Sequence, residues 1–126
     1  MIMSTESAGG AVPLRDRMRT ALSAAIKARD RRAASALRSA LAAIDNAESV
    51  DVTDTRAGAI EASAVGPGAA EVTRRDLTET DIERIVRAEI DERHSAATDY
   101  ERAGYPDRAA DLRAEADALL PHLSAH

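Results

Sequence analysis

The stretch Leu77–Leu123, LTETDIERIVRAEIDERHSAATDYERAGYPDRAADLRAEADALLPHL, decides the fold, because its helix punctuation can be read residue by residue. Thr78-Glu79-Thr80-Asp81 is a capping-box pattern: a hydroxyl at the cap and an acid at the third helical position that can reach back to the cap amide. Leu77 just before the cap and Ile82 just inside the helix can close over it as a hydrophobic staple. Ile82, Val86, Ile90, Arg93, Ala97 and Tyr100 then recur at helical spacing, and Ile85 widens the face. Gly104 is placed to end this helix, since glycine accepts the left-handed backbone of a C-terminal cap. Pro106 opens the next helix, where a missing N–H is no loss. Tyr105, Ala109, Leu112, Ala116, Leu119 and Leu123 alternate steps of four and three, the seam of a packed antiparallel pair.

The first half repeats this plan. Pro13 stands at a helix start, and Leu14, Met18, Leu22 and Ala25 form one stripe. Asp30 is a suitable N-cap for a second helix carrying Ala34, Leu37, Leu41 and Ile44. Residues 13–29 and 31–49 therefore read as one hairpin, and 79–103 and 106–123 as another. Only Val50-Asp51-Val52 hints at strand alternation. The expected fold is all-α: two helical hairpins forming a four-helix arrangement, with a long flexible central connection.

That connection, residues 50–75, contains Gly58, Gly66, Pro67 and Gly68 and has no sustained apolar stripe. Connections of this length are either disordered or functional, here as a partner-binding lid. Residues 1–12 read as a disordered tail, and 13–126 as a single helical domain. The core must be thin. Leu, Ile and Val total 22 of 126 residues, Phe and Trp are absent, and Ala supplies 29. Alanine favours helix and lets helices approach closely, but each buries little area.

Composition excludes several chemistries. Without cysteine there is no disulfide, no thiolate nucleophile and no zinc site of the usual kind. No apolar run approaches membrane-spanning length, so the expectation is a cytoplasmic protein with no membrane partner. The three histidines are His94, His122 and His126. Asp91 and His94 are spaced as a carboxylate–histidine ligand pair, but no second pair completes a di-metal bundle. Glu89 and Glu92 read as helix-surface charge with Arg93 as a local partner. No nucleophile elbow, P-loop or dinucleotide fingerprint is present. No catalytic residue, metal or cofactor is expected, and the chain on its own is not read as an enzyme.

Charge is unevenly divided. Residues 13–49 carry eight basic and four acidic side chains, a balance of +4; residues 76–126 carry six and thirteen, a balance of −7. The basic share gathers in Arg15, Arg17, Arg19, Lys27, Arg29, Arg31, Arg32 and Arg38. Such a face can touch phosphates. The overall charge of −5 opposes nucleic-acid binding, and no aromatic is interleaved to stack on bases. The bland alternative is that the hairpins pack with complementary charge, or that both faces are solvated.

Several segments together resemble the GatB/YqeY family. They are Leu14-Arg15-Asp16-Arg17, Lys27-Ala28-Arg29-Asp30, Ala36-Leu37-Arg38-Ser39-Ala40-Leu41, Asn46-Ala47-Glu48 and Leu77-Thr78-Glu79. Arg93, Tyr100-Glu101-Arg102-Ala103-Gly104, Asp107, Arg113-Ala114-Glu115 and Leu119 continue the pattern. The resemblance covers about 13–49 and 72–123, corresponding to the N-terminal helical part of that family. It implies an all-α fold similar to the helical tail of the GatB component of the aspartyl/glutamyl-tRNA amidotransferase. It also implies a carbon–nitrogen ligase activity with glutamine as amido-N-donor, which no nucleophile–base pair in this sequence supports.

Three expectations of function follow. The first is a non-catalytic helical accessory that binds a protein or RNA, with Arg29, Arg31, Arg32 and Arg38 as contacts. Asp30, Thr78, Asp81, Gly104 and Pro106 then serve as structural caps and turns. The second is an auxiliary factor of tRNA-dependent amidation, with weak, electrostatic tRNA binding. The third is a structural homo-oligomer whose thin core is covered by a second copy.

Overall fold

A computed structural model describes residues 12–63 and 76–124, with side chains described for 12–49 and 76–123. Four helices follow in order: α1 (Leu14–Ala28), α2 (Arg31–Ser63), α3 (Glu79–Arg102) and α4 (Pro106–Ser124). No strand occurs among the described residues, and the all-α reading is correct. The helices pair as the hairpins α1–α2 and α3–α4.

One boundary differs from the sequence reading. α2 continues through Ser63, well into the stretch read as a flexible connection. Residues 51–63 contain no proline, and Ala57, Ala59 and Ala62 are good helix formers. A helix already nucleated upstream propagates at little cost, so Gly58 and the lack of an apolar stripe do not stop it. The rest of that connection, residues 64–75, lies outside the described residues, as does the expected tail up to residue 11.

Both hairpin turns are built alike. At the first, Arg29 is left-handed (φ 60°, ψ 33°), its N–H donates to the Ile26 carbonyl at 3.1 Å, and the Asp30 N–H donates to Ala25 at 2.9 Å. At the second, Gly104 has φ +93°, its N–H donates to Glu101 at 3.1 Å, and the Tyr105 N–H donates to Tyr100 at 2.8 Å. This is the Schellman arrangement in both cases. The following helix is then capped in two ways. Asp30 Oδ1 accepts the Ala33 N–H at 3.1 Å, whereas Pro106 has no N–H to satisfy.

The polar contacts fix the directions. The Leu14 N–H, at the start of α1, donates to Glu79 Oε2, at the start of α3, at 2.6 Å. Arg32 near the start of α2 binds Asp111 near the start of α4, also at 2.6 Å. α1 therefore runs parallel to α3, and α2 parallel to α4, so both tight turns lie at the same end of the bundle. At the opposite end α3 opens with a closed capping box. Thr78 Oγ1 accepts the Asp81 N–H and Asp81 Oδ2 accepts the Thr78 N–H, each at 3.0 Å.

The main core joins Leu14, Met18, Leu37, Ile44, Val86 and Leu119 across all four helices, with Leu77 packed against it as expected of the staple. Ala36 and Ala40 are fully buried as well, on a face wider than the stripe read from sequence. A smaller cluster of Ala97, Ala109 and Leu112 closes α3 on α4 near the turn. Tyr100 and Tyr105 depart from the reading. Both fall on seam positions of the sequence pattern, but they are 40% and 60% exposed and pack edge-to-face on each other. Tyr100 lies in the last turn of α3 and Tyr105 in the turn before α4, at the end of the bundle where little of a neighbouring helix remains to cover a ring.

Arg93 occupies a core position in the α3 stripe and is 9% exposed. Its guanidinium donates to Glu89 Oε1 at 2.9 Å, the Glu89 carbonyl at 3.0 Å and Glu115 Oε1 of α4 at 2.9 Å. Burial alone would lower its pKa; the hydrogen bonds and charges of Glu89 and Glu115 outweigh that and raise it. At the far end, Arg17 donates to the carbonyls of Val12 at 2.6 Å and His122 at 2.9 Å. The partly buried His122 has its pKa lowered, first by burial and then by the Arg17 charge.

Three outcomes follow for stability. A Cβ at Gly104 meets nothing within 4 Å, so Gly104→Val carries the backbone penalty alone, about 1–2 kcal/mol. Arg29→Gly, which relieves the same strain, stabilises by about 0.5–1 kcal/mol; urea midpoints of the two variants should move in opposite directions.

Arg93→Met leaves Glu89 and Glu115 facing each other, partly buried and uncompensated. It should cost about 3 kcal/mol, most of it recovered by adding Glu89→Gln and Glu115→Gln. Denaturant curves of the single and triple variants measure this.

His122 binds its proton less readily folded than unfolded. Stability is therefore complete above about pH 6.5 and falls as the pH drops through that value toward the lower folded-state pKa. The same curves recorded from pH 7.5 downward should flatten over that window in His122→Gln.

Candidate functional site

The sequence offers one cationic surface, and the fold divides it. Arg15 is held by Glu48 of α2 at 2.8 Å, and Arg19 faces Asp16 one turn back at 3.5 Å. Arg17 is committed to the two carbonyls described above. Arg32, expected at the contact surface, is instead bound to Asp111. It forms an ion pair between the two hairpins.

Arg29, Arg31 and Arg38 are brought together. They line a cavity of about 180 Å³ at the α1–α2 turn, with Ala25, Ile26, Asp30 and Ala34. The left-handed backbone at Arg29 turns the chain so that residues just before and just after it share one wall. Arg31, Ala34 and Arg38 then follow at helical spacing along α2. Ala25 and Ala34 are buried and supply an apolar floor, while Ile26 stands 49% exposed at the rim. Asp30 is the one acid in this lining, and its Oδ1 already accepts the cap hydrogen bond from Ala33. Among the described residues no carboxylate pairs with Arg29, Arg31 or Arg38.

A second, broader cleft of about 600 Å³ lies where α2, α3 and α4 meet, with Ser35, Ser39, Glu92, Arg93, Arg108 and Glu115 among its walls. Its charges are mostly spent within the fold. Glu115 holds Arg93, and Arg108 lies over the Tyr100 ring at 5.7 Å. The cross-helix partner Glu115 is not legible in the sequence, although an arginine at a core position of a stripe signals that an acid must be found for it. Ile26 escapes the sequence reading too, because it falls outside the Leu14–Ala25 stripe. An apolar residue next to three arginines is the available signal.

Among the described residues no three His, Cys, Asp or Glu side chains are grouped to hold a metal ion. None of the described helices is long and apolar enough to cross a membrane. Comparison with family models, with curated proteins and with solved structures returned no match.

Proposed function

We propose that this chain is a non-catalytic helical module of the GatB/YqeY type that engages an anionic partner, RNA or protein, through the α1–α2 turn. The observation that carries this reading is the cavity lined by Arg29, Arg31 and Arg38, none of which is ion-paired within the described residues, with Asp30 as the one acid of the lining. Arg15, Arg19, Arg32, Arg93 and Arg113 are taken up in ion pairs within the described residues. Three left together around a hollow are set up for charge-assisted bonds to carboxylate or phosphate. The family resemblance adds a second reading, in which the partner is tRNA and the module assists tRNA-dependent amidation. That reading draws on the same arginines.

The test is a titration of labelled tRNA, and separately of an acidic protein, at rising salt. The expected result is binding whose logarithm falls linearly with the logarithm of salt concentration, the mark of counterion release. Arg29→Ala, Arg31→Ala and Arg38→Ala together should abolish it with the helical circular dichroism unchanged. Arg32→Ala should weaken it little, because Arg32 is already occupied by Asp111. Binding to neither probe at low salt would reject the reading.

A further inference from the structure

We propose that the occupant of the α1–α2 cavity is an acidic peptide segment, helical or extended, that inserts one aliphatic side chain between Arg29, Arg31 and Arg38. This rests on the reading that the turn engages an anionic partner, and it names the chemistry of that partner.

Size comes first. The cavity, about 180 Å³, is smaller than the roughly 300 Å³ at which small-molecule clefts begin. It is close to the roughly 150 Å³ hollow that holds a single benzene ring. The space therefore suits one side chain rather than a free metabolite. Its lining is the second point. The methyl groups of Ala25 and Ala34 form the floor, and Ile26 keeps a large apolar side chain half in water at the edge. An occupant that covers this surface removes Ile26 from solvent.

Charge is the third point. Arg29, Arg31 and Arg38 share the lining of this hollow with the apolar Ala25, Ile26 and Ala34. A nucleic-acid backbone satisfies the arginines but leaves the hollow empty. A base would need an aromatic platform, and the two tyrosines, although at this end of the bundle, do not line the cavity. A peptide carrying carboxylates on either side of a Leu or Ile satisfies both parts at once. The carboxylates take the arginines in bidentate pairs, and the aliphatic group fills the hollow as an anchor residue does in a helix-in-groove complex.

The experiment uses the full chain and four fluorescent probes: a glutamate-rich helical peptide with one central leucine, its twin with alanine there, a transcribed tRNA and a single-stranded RNA. Anisotropy titrations should give the leucine peptide about a tenfold advantage over its twin. Ile26→Ser should erase most of that advantage, weakening the leucine peptide much more than its twin. Ala34→Leu, which fills the hollow, should do the same. If Ala34→Leu does not fold, the surface variant Ile26→Ser decides. Arg38→Glu should reduce binding of both peptides. Equal binding of leucine and alanine peptides would overturn the proposal while leaving an anionic partner in place. So would tRNA binding that neither peptide displaces. A concentration-dependent dimer dispersed by Arg38→Glu would assign the cavity to a second copy and also overturn it. Failure of every probe to bind would remove the broader reading as well.

Discussion

The scarcity of bulky apolar side chains constrains everything else in this molecule. Of the seventeen buried hydrophobic residues among those described, seven are alanines: 25, 34, 36, 40, 97, 109 and 116. Small side chains let the helices approach closely, which dispersion favours, but each removes little area from water. Where an aliphatic core would hold the helices in register, this chain adds polar contacts at defined depths. Glu79 caps the start of α1 from across the bundle, Arg93 joins α3 to α4 in the middle, and Arg32 ties the hairpins together near the turns. These bonds are directional, so they select one alignment among several that alanine seams would tolerate.

Position along the bundle decides what is left outside. Both tyrosines fall at the turn end, beyond the Ala97–Ala109–Leu112 cluster, and stay exposed. Arg29, Arg31 and Arg38 lie toward that end too, in and after the first Schellman turn. The basic hollow is thus a by-product of topology and of local sequence acting together. Parallel hairpins put both turns at one end, and the left-handed Arg29 folds Ile26 and Arg31 toward a common space.

Much of the architecture is legible in the sequence. Caps and turns are local and obey residue chemistry, which is why Thr78, Asp81, Asp30, Gly104 and Pro106 can be placed without coordinates. Periodicity locates the core faces, from Leu14 and Met18 to Leu119 and Leu123. Depth and partnership are what a sequence does not supply. The stripe containing Tyr100 does not say where the neighbouring helix ends. Nor does the position of Arg32 say that Asp111 stands opposite, since that depends on the parallel order of α2 and α4. The left-handed backbone at Arg29 is hidden as well, because arginine carries no preference for that conformation. The extent of α2 escapes a reading by stripes because helix continuation depends more on the nucleus behind it.

Arg17 holds the carbonyls of Val12 and His122 with one guanidinium, while its buried Nε finds no partner. One side chain therefore clasps the segment entering α1 to the last turn of α4. Polypeptide extending from either side of the bundle leaves from neighbouring points, on the face opposite the tight turns. A label, surface tether or host loop joined there would carry the bundle like a stalked head, with the arginine hollow facing outward. The two flanks could equally be spliced by a short linker and the chain reopened elsewhere, giving a circular permutant that keeps all four helices in register.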